Sequence, residues 1–454
     1  MSKISAYFGF EDTVFYRSIW KVCVPLALQQ TINFVLQLVD NIMVGSLGDT
    51  VIAAVALANQ VSFVVMILIM GICAGGTAFA SQHWGRGDVP SIRRTMGLVL
   101  LCAGAMGVVF FILSQFCPEF LLRIFSKDEA VIAAGVVYLR AVGYTYLLQP
   151  IILGVGAMLR SMEELKIPTF TTIIGVIVNC VFNYLMIFGK LGFPVMGVLG
   201  AAVATVIANV VNCALLILLM YTKKSPLVED HSPVFRGMPG YPKRFFARAL
   251  PVLGNEALWA GAQTMLIFLY AQLGTQMTAA MGIFNVLEKI ALIFFMALSN
   301  GGVVIVGKEL GVERFDVAYT YALRLRRLTI ALAFVMGPLI NLIGPAMLGL
   351  YNASPMAKYI VRCSLLALAV KLPFDAHNFM MIVGILRAGG DTRFAFVVDS
   401  GAQWLLVLPF VALGAFVLQV PLPWVFAFTI PAEIIKFFIG RRRFYSRKWI
   451  NVLK

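Results

Sequence analysis

Apolar stretches of about 20 residues, separated by short polar breaks, run along nearly the whole chain. Each is long enough to cross ~30 Å of hydrocarbon as a helix, and in hydrocarbon only helices and closed barrels satisfy every backbone polar group. A barrel would alternate apolar and polar residues in short segments, whereas these runs are continuous. The pattern predicts twelve spanning helices, at 18–45, 51–80, 95–116, 130–157, 166–188 and 197–221, then 247–272, 279–306, 323–345, 356–386, 394–416 and 422–440. A polar stretch rich in Lys, Pro and Gly separates six spans from six. It divides the chain into a first lobe at 1–221, a linker at 222–244, a second lobe at 245–440 and a basic tail at 441–454.

The two lobes read alike. Pro25 recurs as Pro251, an offset of 226, and the same offset carries Gln37 to Gln263, Asn59 to Asn285, Gly75-Gly76 to Gly301-Gly302 and Gly85 to Gly311. It also carries Leu47-Gly48 to Leu273-Gly274 and Phe125 to Tyr351. One added residue then carries Leu159-Arg160 to Leu386-Arg387 and Glu164 to Asp391. Six spans return the chain to the side it started from, so both lobes enter the membrane in the same direction. The repeats are expected to be related by a twofold axis along the membrane normal, a design common among transporters.

Composition agrees with a membrane protein: 61% of residues are hydrophobic, 13% are charged and the mean hydropathy is +0.91. The net charge of +15 comes from basic residues gathered in alternate connections: Arg86, Arg93 and Arg94; Lys223, Lys224, Lys243 and Arg244; Arg324, Arg326 and Arg327; Arg441 to Arg443 with Arg447 and Lys448. That bias places both termini in the cytoplasm and the tail near the anionic leaflet. No basic face interleaved with aromatics lies outside the spans, so no nucleic-acid partner is expected. The seven cysteines show no Cys-x-x-Cys pair, and Glu11, Asp12 and Arg17 ahead of the first run argue against a cleaved signal peptide.

Polar side chains inside spans are costly and face the bundle interior or a wet cavity. In the first span Gln30, Asn33, Gln37 and Asp40 follow at spacings of three, four and three, on one helical face. Asp40 is either an end residue reaching for water or the end of a hydrated path; the amide stripe leading to it favours the path. The seventh span carries Glu256, Trp259 and Gln263, with Glu256 matching Gln30 by the offset. Glu256 serves either an ion or cargo, or a hydrogen bond between helices. In the tenth span Lys371, Asp375 and Asn378 share a face, as a self-neutralising ion pair or as part of a cavity. Asn179 and Asn183, one turn apart in the fifth span, offer oxygens to a cation or hydrogen bonds to a neighbour. Asn59 and Asn285 are matched amides, Glu288 and Lys289 point in different directions, and Asp399, Glu433 and Lys436 have no stripe around them. Pro25, Pro150, Pro251 and Pro373 fall inside spans and predict kinks, with or without a moving role. The 35 Phe and 21 Met suit lipid contact, packing and, where they line a cavity, bulky apolar cations.

No phosphate-binding loop ending in Gly-Lys-Ser/Thr occurs, the three histidines are far apart, and no nucleophile constellation is present. Neither an enzyme, a cofactor nor a bound metal is expected. Transport would run on an ion gradient, for which a carboxylate exchanging H⁺ or Na⁺ is the usual handle.

Pro25-Leu26 with Asp40-Asn41-Ile42-Met43-Val44-Gly45-Ser46-Leu47-Gly48 and Asn59 resembles the first two helices of the multidrug and toxic compound extrusion (MATE) family. So do Asn179-Cys180-Val181-Phe182-Asn183-Tyr184 through Ile187-Phe188-Gly189, and Gly197 through Gly200-Ala201-Ala202-Val203-Ala204-Thr205. Gly384-Ile385-Leu386-Arg387-Ala388-Gly389-Gly390-Asp391-Thr392-Arg393 resembles the segment after the family's tenth helix. The resemblance covers nearly the whole chain. It implies an all-α integral membrane protein of twelve helices in two six-helix lobes forming a V with a central cavity. It further implies an inner-membrane antiporter, expected as a monomer, that exports cationic or amphipathic small molecules in exchange for H⁺ or Na⁺. Asp40 matches the family's first-helix acid, with Asn179 and Asn183 at the fifth helix's share of that site; position 183 can be Asp in the family. Glu256 matches the seventh-helix carboxylate of the Na⁺-coupled NorM-like branch and Asp375 lies near its tenth-helix Asp, while Lys371 and Lys289 depart from that pattern. Coupling through Asp40 is therefore favoured. Two rivals are a flippase for lipid-linked saccharides, whose cavity should hold Arg or Lys for a diphosphate, and a membrane scaffold or sensor, which needs no charge inside its spans. The first-lobe stripe of amides and an acid disfavours the flippase.

Overall fold

The computed structural model describes residues 11–45, 47, 49–229, 240–349, 351 and 353–453. Ser46 and Gly48 of the first-helix motif, residues 230–239 of the linker, and Lys454 of the tail lie outside them. All regular structure among the described residues is helical. The spanning elements are α1 (Thr13–Gly45), α2 (Asp49–Gly85), α3 (Val89–Phe116), α4 (Glu129–Val142 with Thr145–Ser161), α5 (Lys166–Phe188) and α6 (Gly197–Thr222). After the linker come α7 (Tyr241–Gln272), α8 (Thr275–Gly311), α9 (Phe315–Gly349), α10 (Pro355–Leu386), α11 (Thr392–Val417) and α12 (Leu422–Tyr445). Ten of these are long and apolar enough to cross a bilayer, and the α4 pair, bent by 50°, makes eleven. Helix α7 is 32 residues long and holds Asn255, Glu256 and Gln263 within its apolar stretch. Large apolar side chains stay exposed along the helices (Trp20 at 69%, Leu342 at 77%, Leu405 at 73%), as a lipid-facing surface requires.

Local signals set the helix starts. Asp88 accepts from the Ser91 backbone N–H at 3.1 Å ahead of α3, Asp128 accepts from Ala130 and Val131 ahead of α4, and Ser354 accepts from Ala357 at 3.2 Å ahead of α10. Pro25, Pro150, Pro251 and Pro373 all lie inside helices, as expected. The 50° bend of α4, however, falls between Val142 and Thr145, ahead of Pro150. Helix α10 relaxes into a π-helical turn at Met380–Leu386, and α11 has two more at Gln403–Val407 and Leu413–Val417.

The chain forms two compact units. One is Leu28–Leu253; the other is the chain up to Ala27 together with everything from Gly254 onward. These divisions differ from the lobes expected at 1–221 and 245–440, because the opening segments of α1 and α7 are exchanged. Matched glycines give the reason. A Cβ on Gly75 of α2 would lie 2.7 Å from the Ala249 Cβ of α7, and one on Gly301 of α8 would collide with the Cys23 sulfur of α1. Gly301 and Ala249 stand 226 residues after Gly75 and Cys23. Without side chains at 75 and 301, helix backbones approach closely.

The C-terminal stretch, expected as a basic tail, is docked. Trp449 is fully buried, Asn451 donates to the Gly389 carbonyl at 3.0 Å, and Arg443 grips Asp391 with two hydrogen bonds of 2.7 and 3.0 Å. In the linker, Ser225 donates to Glu164 at 2.9 Å and Leu227 is buried.

Candidate functional site

Within the unit Leu28–Leu253, α1 presents Asp40 to α5. Asn183 Nδ2 donates to Asp40 Oδ1 at 2.7 Å and to Asn179 Oδ1 at 3.1 Å. The same end of the Asn179 amide stands 3.0 and 3.2 Å from the two Asp40 oxygens, so with the amide turned over its nitrogen donates to the carboxylate in place of accepting from Asn183; as placed, Nδ2 at its other end donates to the Thr205 hydroxyl of α6 at 3.3 Å. Asn179 and Asn183 are 4% and 2% exposed, while Asp40 is half-buried. No cation pairs with Asp40 among the described residues, and Asn183 Oδ1 is buried without a partner. The result is a carboxylate held by neutral amides alone. Asn179 works with either protonation state of Asp40, since its nitrogen can donate to the carboxylate or its oxygen accept from the acid.

The same unit holds a partly open cavity of roughly 210 Å³ with a mixed polar and apolar lining. Helix α1 supplies Gln29 and Asn33, α4 supplies Gln149 and Arg160, α5 supplies Thr171 and Thr172, and α6 supplies Asn209 and Asn212. Gln29 donates to the Thr172 hydroxyl at 2.9 Å. Asn33 lies two turns before Asp40 on the same helix. Gln30 is half-buried and Gln37 and Asn59 are exposed; none of these three makes a side-chain hydrogen bond among the described residues. Arg160 corrects one expectation, because the cavity in the first half of the chain does contain a cation.

The other unit is built from charge pairs. Glu256 of α7 is bound by Arg387, the residue that the repeat matches to Arg160 and for which no spacing along the chain indicates a partner. Its neighbour Asn255 donates to Asp399 Oδ2 at 3.1 Å. Lys436 Nζ lies 3.1 Å from Asp399 and 3.0 Å from Glu433, and Asn378 donates to Glu433 Oε2 at 2.8 Å. Asp399, Glu433 and Lys436, which lack any stripe in the sequence, are thus one network. Glu433 and Lys436 lie one turn apart on α12, but Asp399 comes from α11, so no periodicity within one helix could join it to them. Lys371 and Asp375 form an ion pair at 3.1 Å, one of the two readings of their spacing, with Lys371 also 5.3 Å from the Phe426 ring centroid. Trp259, Gln263 and Asn285 are half-buried and make no side-chain hydrogen bond among the described residues. Lys289 is exposed and Glu288 half-buried.

Repeated units of apolar helices, with carboxylates, amides and a cavity inside them, define the class of polytopic membrane transporters. The MatE family model matches residues 25–185 and 251–434, so the chain belongs to the MATE family. It is 25% identical over 438 residues to the uncharacterized transporter YisQ of Bacillus subtilis, covering 96% of this chain and 95% of that one. It is 27% identical over 413 residues to the multidrug resistance protein MdtK of Pectobacterium atrosepticum, covering 87% and 86%. The fold matches a crystal structure of the MATE transporter VcmN of Vibrio cholerae with a TM-score of 0.88 at 16% identity, over 96% and 97% of the two chains.

Proposed function

We propose that this transporter expels cationic or amphipathic small molecules across the cytoplasmic membrane in exchange for H⁺ or Na⁺, as a monomer with both termini cytoplasmic. Asp40 is the coupling group, and Asn179 and Asn183 hold it. The observation that carries this reading is a carboxylate beside two buried amides, with no cation paired to it among the described residues, on the helix that also lines the cavity. A salt-bridged acid has little reason to exchange its partner, which is why Glu256, tied to Arg387, is the weaker candidate. Asp40 has a vacant charge to fill. Ionised, it accepts from Asn183 and Asn179. Neutralised by a proton or a sodium ion, it needs only one amide to reorient. Binding of the ion and of cargo to the same unit then biases alternating access in opposite senses. The names of the relatives, multidrug resistance proteins among them, support drug efflux.

Dye efflux from vesicles with imposed Na⁺ and pH gradients, each in turn, tests the coupling. Asp40→Asn keeps the shape and removes the charge. It is expected to express like the parent, lose gradient-driven efflux, and keep at least part of its cargo binding in detergent. Asp40→Glu should retain some activity. Undiminished efflux by Asp40→Asn at matched protein levels would move coupling to the other unit.

A further inference from the structure

The two halves of the chain treat one arginine differently. Arg387 is neutralised by Glu256. The repeat carries Arg387 back to Arg160 at an offset of 227 and Glu256 back to Gln30 at 226, so the partner position holds an amide instead of an acid. The surroundings follow suit: Asn255 bonded to Asp399 corresponds to Gln29 bonded to Thr172, another acid replaced by a neutral group. The Arg160 side chain consequently makes no ion pair or hydrogen bond among the described residues, although it lines the cavity. Its guanidinium runs over Gly156, where a Cβ would lie 3.1 Å from Nη1. Beside it, Gln149 Oε1 and Asn212 Oδ1 are buried and lack partners.

A guanidinium out of bulk water with no counter-charge is costly, and the structure compensates the equivalent one internally. We propose that the Arg160 cavity binds a carboxylate group carried by the cargo, in the place that Glu256 occupies beside Arg387. The site therefore selects carboxylate-bearing, typically zwitterionic, amphipathic molecules. A guanidinium presents parallel N–H donors that match a carboxylate. The charge count favours one negative charge: the rest of the lining is amide, hydroxyl and apolar, whereas a diphosphate would need several cations. The orphan oxygens of Gln149 and Asn212 are acceptors, suited to an N–H elsewhere on the same molecule. This inference names the cargo for the proposed efflux and rests on that reading.

Binding tests it without transport, so its failure is separable from failure of the efflux reading. The probes are naphthoate and its neutral isostere naphthamide, measured by equilibrium binding to the full chain in lipid nanodiscs. The parent is expected to bind naphthoate at least tenfold more tightly than naphthamide. Arg160→Gln should abolish that preference. Gln30→Glu supplies the acid of the other repeat and should abolish it too while leaving Arg160 in place. Equal affinity of the parent for the two probes overturns the proposal. So does a preference that survives in Gln30→Glu, whether or not Arg160→Gln folds. Competition separates the sources of negative charge. Displacement of naphthoate by chloride or inorganic phosphate at concentrations equal to those of naphthoate itself would reassign the site to an inorganic ion or a phosphate group.

Discussion

Replacing Lys436 by Met removes the cation that faces two buried carboxylates. Its Nζ lies 3.1 Å from Asp399 and 3.0 Å from Glu433, and the three side chains are 6%, 13% and 6% exposed. At an effective dielectric constant of about 20, each pair carries about 5 kcal/mol of attraction. Most of that offsets the cost of taking the ions out of water, so the intact cluster adds little net stability. Removing only the cation is different, because both carboxylates stay buried and face each other uncompensated. Losses for breaking a buried pair run to about 3–5 kcal/mol. For a unit of this size about 2–4 °C of Tm goes with each kcal/mol, so Lys436→Met should lower Tm by roughly 6–20 °C. Hydrogen bonds from Asn255 and Asn378 to the stranded carboxylates pull the expected value toward the lower half of that range. A thiol-reactive dye reports the melt, since Cys23 and Cys363 are buried in the same unit and become reactive when it opens. Adding Asp399→Asn and Glu433→Gln removes the stranded charges and should restore most of the loss. A Tm for Lys436→Met within about 2 °C of the parent, or a triple variant no better than the single one, would refute the reasoning.

Three further outcomes follow from the same structure. Lys371→Ala leaves Asp375, 12% exposed, without its partner and should cut folded yield, with Asp375→Asn in the same chain recovering it; normal expression with lost transport would place the pair in the transport machinery instead. Asp88→Ala removes the cap of α3 and should cost about 1 kcal/mol at neutral pH, whereas Asp88→Asn should cost little. Burial pushes the Asp88 pKa up, but the Ser91 hydroxyl and backbone N–H, with His83 and Arg86, outweigh it and hold the pKa below 3.8. A lowered folded pKa gives stability that is present above the unfolded value and lost as pH falls through the folded one. The gap between parent and Asp88→Ala melts should therefore close below about pH 4. A reporter fused after Lys224 should read cytoplasmic and one placed between Lys190 and Gly197 external; an external signal after Lys224 reverses the orientation.

Much of the candidate site on Asp40 is legible along the chain. The stripe ending at Asp40 and the i, i+4 amides Asn179 and Asn183 are properties of single helices, as is the Lys371–Asp375 pair, so spacing alone exposes them. The fold does not keep the stripe whole. Asn33 lines the cavity but Gln37, also exposed, does not, because a face that is continuous on one helix need not meet a single neighbour along its length. Glu256 stands out in its span as a carboxylate in hydrocarbon, yet its meaning changes with Arg387 beside it, 131 residues away.

What the sequence determined by itself was the number and kind of elements and their duplication. Hydrocarbon demands long apolar helices, and a repeat with its matched prolines and glycines is written in order along the chain. Tertiary structure alone decided which charges cancel between helices. Lys436 finds Asp399, Arg387 finds Glu256 and Arg160 finds no acid among the described residues, because ion pairing acts over a few ångströms between helices whose register no local pattern encodes. It likewise decided that the openings of α1 and α7 change units, since the close approach of Gly75 to Ala249 and of Gly301 to Cys23 exists only once the helices have packed.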